Sequence, residues 1–109
     1  PRVIAAHSSL EPVHSASPYV LPAPAREVLT TTPGDRYAFL SGNSLAAAHT
    51  AGVVALLMER EPDLDAERIA AILTASMTRR ARSTSINACR ALARIDASAS
   101  CAAVAADAP

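Results

Sequence analysis

Apolar and polar positions change rhythm several times along the 109 residues, and each change marks a predicted element. Val3 to Ala6 is a short apolar run of the kind that forms a buried strand, followed from His7 to Pro24 by a polar, proline-containing stretch that reads as an irregular surface connection. Glu27 to Thr32 alternates and is β-branched, Pro33-Gly34 offers a turn, and Tyr37 to Leu40 returns as a second strand, so a hairpin is predicted just before Ser44. From Ser44 to about Glu59 the spacing becomes helical with almost no polar side. Such a helix belongs in an interior, and Gly52, which costs up to ~1 kcal/mol in a helix, implies a close neighbour there. Pro62 ends this segment. Asp65 then suits an N-cap, Glu67 complements the helix dipole, and Ile69, Ile72, Leu73 and Met77 form the stripe of a surface amphipathic helix. Arg79, Arg80 and Arg82 read as a solvated cluster after its end. Ile86 to Ile95 is a third, shorter helix with Ala88, Cys89, Leu92 and Ile95 inward. Beyond Asp96 only Ala, Ser and Pro dominate, as in a frayed tail or linker, so residues 1–96 are taken as the folded unit and 97–109 as the tail.

Composition narrows what such a chain can do. Half the residues are hydrophobic, ten basic side chains balance ten acidic ones, and aromatics number two Tyr and one Phe. Neither the basic footprint nor the stacking surface of a nucleic-acid binder is present. The apolar run Ala51 to Met58 is too short to cross a bilayer, which leaves no membrane span. No Cys/His cluster has zinc spacing and the acidic residues follow no calcium-loop pattern, so no cofactor or metal is expected. Cys89 and Cys101 either close a disulfide loop worth about 3 kcal/mol by chain-entropy estimates or pack as two free thiols. The chain starts Pro-Arg-Val-Ile with no signal-peptide succession, and reads as a piece of a longer precursor.

Ser44 carries the chemistry. It stands between a glycine turn and a helix, where a serine is either a cap or a nucleophile. Gly42-Asn43-Ser44-Leu45-Ala46-Ala47-Ala48-His49-Thr50-Ala51-Gly52 resembles the nucleophile motif of the subtilisin-like serine proteases, G-T-S-M-A-A-P-H-V-A-G, at seven of eleven positions. "APAREVLTTTPGDRYAFLSG" upstream and "LLMEREPDLDAERIAAIL" downstream resemble the family's flanks, and "INACRALARI" is similar to its closing helix. The departures are Asn43 for threonine, Leu45 for methionine, Ala48 for proline and Thr50 for valine.

The resemblance implies an α/β chain, the C-terminal part of a three-layer catalytic domain with a mostly parallel sheet, a buried serine-bearing helix and surface helices. It implies a secreted or periplasmic endopeptidase acting on polypeptide through an acyl-enzyme, with Ser44 as nucleophile and donor of a backbone N–H to the oxyanion, and Gly42 and Asn43 shaping the turn. The family's Asp, His and oxyanion Asn precede the serine far upstream, so the remainder of the domain is the expected partner and the chain alone is expected to be inactive. His7 and His14 lie too close to Ser44 in sequence to be that base and read as surface histidines. His49, at the position of the family's non-catalytic motif histidine, reads as a core residue with one satisfied nitrogen. Two rivals remain in view. An α/β-hydrolase elbow fails on chain order, because that fold needs an acid and a histidine after the serine and only His49 follows. A non-catalytic interaction or regulatory module, or a decayed relic, would leave Ser44 as a helix cap.

Overall fold

The computed structural model describes residues 3–10, 17–80, 83–99 and 101. The described elements follow in the order β1 (Ala5–Ser8), β2 (Val20–Ala23), β3 (Val28–Thr32), β4 (Arg36–Leu40), α1 (Asn43–Arg60), α2 (Ala66–Ser76), β5 (Thr78–Arg80), β6 (Ser83–Ser85) and α3 (Ala88–Ala93). This is an α/β chain. Its strands form three two-stranded sheets, of which β1–β2 is parallel and β3–β4 and β5–β6 are antiparallel. The mostly parallel sheet expected from the resemblance is thus represented here by a single parallel pair.

That pair is the floor on which α1 lies. Leu21 and Ala23 of β2 are fully buried with Ala46, Val53 and Leu57 of α1, and Ile69, Ile72 and Leu73 of α2 complete one apolar cluster with Ile86 and Ala91. β2 falls inside the stretch read as an irregular connection. Its sequence, Val-Leu-Pro-Ala, is too short and too proline-marked to show a period. Pro22 nevertheless fits, because its carbonyl is what the neighbouring chain uses, accepting the Ile86 N–H at 3.0 Å. The β5–β6 ribbon likewise occupies the segment read as a solvated arginine cluster; Arg79 is exposed on β5, and Arg82 lies outside the described residues.

The C-terminal layer is closed by side-chain oxygens. Asp65 caps α2 by accepting the Arg68 N–H at 2.8 Å, and Asn87 caps α3 by accepting the Arg90 N–H at 3.0 Å. Ser76, fully buried at the end of α2, donates to the Leu73 carbonyl at 2.6 Å and accepts the Asn87 N–H at 3.1 Å, so one hydroxyl joins the end of α2 to the start of α3. Cys89 and Cys101 are joined in a disulfide with Cα atoms 5.7 Å apart, which resolves the two readings of these thiols. Arg60 at the end of α1 pairs with Asp96 at 2.7 Å.

α1 itself differs from expectation. Only Ala46, Thr50, Val53 and Leu57 are buried, a single stripe, while Ala47, Ala48, Ala51, Gly52, Ala55, Leu56 and Met58 are exposed. The helix is therefore buried on one side rather than all round. A Cβ added at Gly52 would meet nothing within 4 Å, so the close neighbour inferred from that glycine is absent among the described residues. The sequence of this helix provides more apolar surface than the described residues cover.

Candidate active site

Ser44 enters the structure by way of the hairpin. β4 ends at Leu40, and the chain is then lashed to the segment after β2 by two bonds: the Gly42 N–H donates to the Ala25 carbonyl at 2.7 Å, and the Ser41 hydroxyl accepts the Glu27 N–H at 2.9 Å. The neck of the hairpin is conformationally demanding. Glu27 has φ 50°, and Gly42 has φ 149° and ψ 156°, a region open in practice to glycine alone. A glycine at 42 is thus required by the backbone; a Cβ there would stand 3.7 Å from the Ser44 hydroxyl, an ordinary contact, so strain and not crowding makes the demand.

Gly42 is the N-cap of α1 and makes no side-chain capping bond, which places Asn43 and Ser44 as its first two helical residues. Ser44 is therefore not a helix cap, and that reading of the serine is corrected. Asn43 turns its side chain away from the helix: its Oδ1 accepts the Ser8 N–H at 2.9 Å and ties the start of α1 to the C-terminal end of β1. Neither Asn43 nor Ser44 has an intrahelical acceptor for its N–H, as in the first turn of any helix, and no acidic side chain occupies that turn to offset the positive end of the dipole. Ser44 is exposed. The result is an accessible hydroxyl at the electropositive end of an 18-residue helix, beside donors suited to an anionic oxygen.

The histidines do not complete a triad. Among the described residues no side chain is hydrogen-bonded to the Ser44 hydroxyl. His7, read as a surface residue, is half-buried on β1; its Nδ1 lies 2.8 Å from the Ser8 carbonyl, and its Nε2 is buried with no partner among the described residues. Its partial burial was hidden by the brevity of β1. His49, read as a core residue, is exposed on α1, and partial burial alone holds its imidazole below the ordinary value. The cause of that misreading is the partly uncovered flank of the helix. His14 lies outside the described residues. No group of three or more His, Cys, Asp or Glu among the described residues could hold a metal ion, and no helix there is long and apolar enough to cross a membrane.

A strand, a strained glycine turn and a helix with an exposed serine in its first turn are together the local frame of this α/β chain. Residues 4–91 match the subtilase family, and the chain belongs to it. A stretch of 39 residues is 46% identical to an intracellular serine protease of Paenibacillus polymyxa. The stretch represents 36% of this chain and 12% of that relative, so the match spans only a small part of the relative's length.

Proposed function

We propose that the chain supplies the nucleophile of a serine endopeptidase. The Ser44 hydroxyl attacks the carbonyl carbon of a peptide bond, its proton passing to a histidine outside the chain, and the tetrahedral oxyanion receives the Ser44 N–H at the helix terminus. Collapse expels the amine, which takes the proton from that histidine, and water then releases the acyl group from the serine. Gly42 and Asn43 hold the turn that presents the hydroxyl. The observation that carries this reading is the exposed serine at the uncompensated N-terminus of α1, inside a family match that spans the motif.

The base, its aspartate and an oxyanion asparagine come in this reading from the remainder of the catalytic domain, with residues 1–96 as its C-terminal portion and 97–109 as a tail. Three features support a missing neighbour. The edge of β1 away from β2 has no strand beside it among the described residues. A groove of about 440 Å³ next to it is lined by Ile4, Ala6, Val54 and Met58, and the buried Thr50 hydroxyl in its wall has no partner among the described residues. Leu29, Tyr37 and Phe39 stand 60%, 73% and 68% exposed on the hairpin. The disulfide supports an oxidising, exported setting for this protein, although the P. polymyxa relative is named as intracellular.

The test is labelling by a fluorophosphonate probe with the modified residue mapped by mass spectrometry. The 109-residue chain alone is expected to label no faster when folded than when heat-unfolded. Extended by its upstream coding sequence, it is expected to label at Ser44 and to cleave casein, with both lost in Ser44→Ala. Rapid labelling of the chain alone would refute the need for outside groups, and cleavage that survives Ser44→Ala would refute the nucleophile.

A further inference from the structure

On the other side of α1 from the β1 groove lies a cavity of about 560 Å³, bounded by the segments that follow β1 and β2, by α1, by the β5–β6 ribbon and by the start of α3. Its size is that of a small-molecule site. Its chemistry is one-sided. Arg26 and His49 line it, no Asp or Glu does, and among the described residues Arg26 has no ion-pair partner.

The Ser85 hydroxyl in the wall donates to the Ile86 carbonyl at 3.1 Å, whereas Asn87 and Arg26 keep donors that no described residue takes. Asn87 contributes its Oδ1 to the Arg90 N–H in the cap of α3, which leaves its side-chain NH₂ as the available group. The five donors of the Arg26 guanidinium are taken by no side chain or carbonyl among the described residues. Leu10 and the buried Ile86 add apolar wall. A ligand matched to this lining is an anion with an apolar body. A bare inorganic anion would satisfy the donors but leave most of the volume and the apolar wall unused.

We infer that this cavity binds a small organic carboxylate, of the size of one or two amino-acid residues, with Arg26 as the charged anchor, the Asn87 amide as a second donor and His49 at the rim. No bond is made or broken, and the inference is independent of the role of Ser44. A guanidinium–carboxylate pair is the strongest contact such a site can offer, because both partners are charged and a guanidinium has the donors to hold both carboxylate oxygens.

The experiment is an NMR titration of the 109-residue chain at constant pH, following the imidazole C–H signals of His49, with His7 as an internal reference on β1. N-acetyl-leucine is the carboxylate probe, N-acetyl-leucine amide its uncharged counterpart, and inorganic phosphate the anion without a body. N-acetyl-leucine is expected to shift His49 saturably at millimolar concentration while His7 stays still, and the amide and phosphate are each expected to bind about tenfold more weakly or worse. Arg26→Gln, at an exposed position that should leave the circular dichroism unchanged, is expected to lose about tenfold in affinity, and Arg26→Lys to lose less. The inference fails if His49 does not respond to N-acetyl-leucine, if the amide or phosphate matches it, or if Arg26→Gln binds as the unaltered chain does.

Discussion

The β3–β4 hairpin and the α2–α3 layer are built from comparably apolar sequence and end in opposite conditions. In the hairpin, Leu29 lies opposite Phe39 and Thr31 opposite Tyr37, so period-2 geometry puts these four on one face, and that face is open to solvent. In the C-terminal layer, Leu73, Ile72 and Ile69 are buried, both helices are capped by side chains, and a disulfide ties Cys101 to α3. One region is finished by local chemistry; the other presents a surface suited to a neighbour. A two-stranded ribbon by itself is marginal in water, so the hairpin depends on its neck, where Gly42 and Ser41 bond to the segment after β2. The serine sits at that neck, between the finished region and the open one.

Substitutions should separate the two regions by magnitude. Leu73→Ala, at a fully buried position, is expected to cost about 2–5 kcal/mol, enough to abolish the cooperative denaturant transition of so small a chain; a loss below about 1 kcal/mol would mean that the layer is not the stabilising half. Reduction of Cys89–Cys101, or Cys89→Ser with Cys101→Ser, should remove about 3 kcal/mol, since the cross-link closes a loop of sequence separation 12; urea unfolding with and without reductant measures it.

At the junction, Gly42→Ala should cost about 1–3 kcal/mol through backbone strain alone, and the fluorophosphonate reactivity of the extended protein should fall with it if the turn presents Ser44. In the open region, Phe39→Ser should change the stability of the 109-residue chain by no more than about 0.5 kcal/mol, while costing several-fold more in a protein that includes the upstream polypeptide. Equal effects in both would erase the contrast.

The smallest expected effects are those of pH. Ser98 donates to Asp96 from both its hydroxyl and its N–H, and with a further contribution from Arg60 this holds the Asp96 carboxyl below its usual range. The folded-state value is depressed, so the stabilisation is complete above the ordinary carboxylate value of about 4 and drains as pH falls through the lower folded value. For His49 the charged form is disfavoured by burial, so stability is complete above the ordinary histidine value of about 6.5 and declines as pH falls below it toward the folded value. Asp96→Asn and His49→Asn should each flatten the corresponding part of a stability-versus-pH curve.

How much was legible beforehand differs by element. Helix α2 was readable in full because its stripe, its Asp65 cap and the proline before it are local signals. The hairpin was readable because Pro33 and Gly34 separate two alternating runs, and the turn is indeed closed by Gly34 at φ 82°. Strand β2 was not, because a parallel strand gains its identity from a partner remote in sequence, and Val-Leu-Pro-Ala has no intrinsic mark of pairing with Ala5–Ser8. The exposure of His49 and the partial burial of His7 were equally hidden, since both depend on which face of an element finds cover. At the candidate site, the identity of Ser44 and the need for Gly42 were visible in the motif, whereas the bond from Ser8 to Asn43 that orients the helix start was not.

The amino-acid order by itself determined the helices with local caps, the turn residues and the serine motif, because dihedral preference and hydrogen bonds over three or four residues act within a short stretch of chain. Only the tertiary structure decided that Cys89 bonds to Cys101, that one side of α1 is covered and the other open, and that Arg26, His49 and Asn87 line one cavity. Those outcomes depend on which distant segments meet.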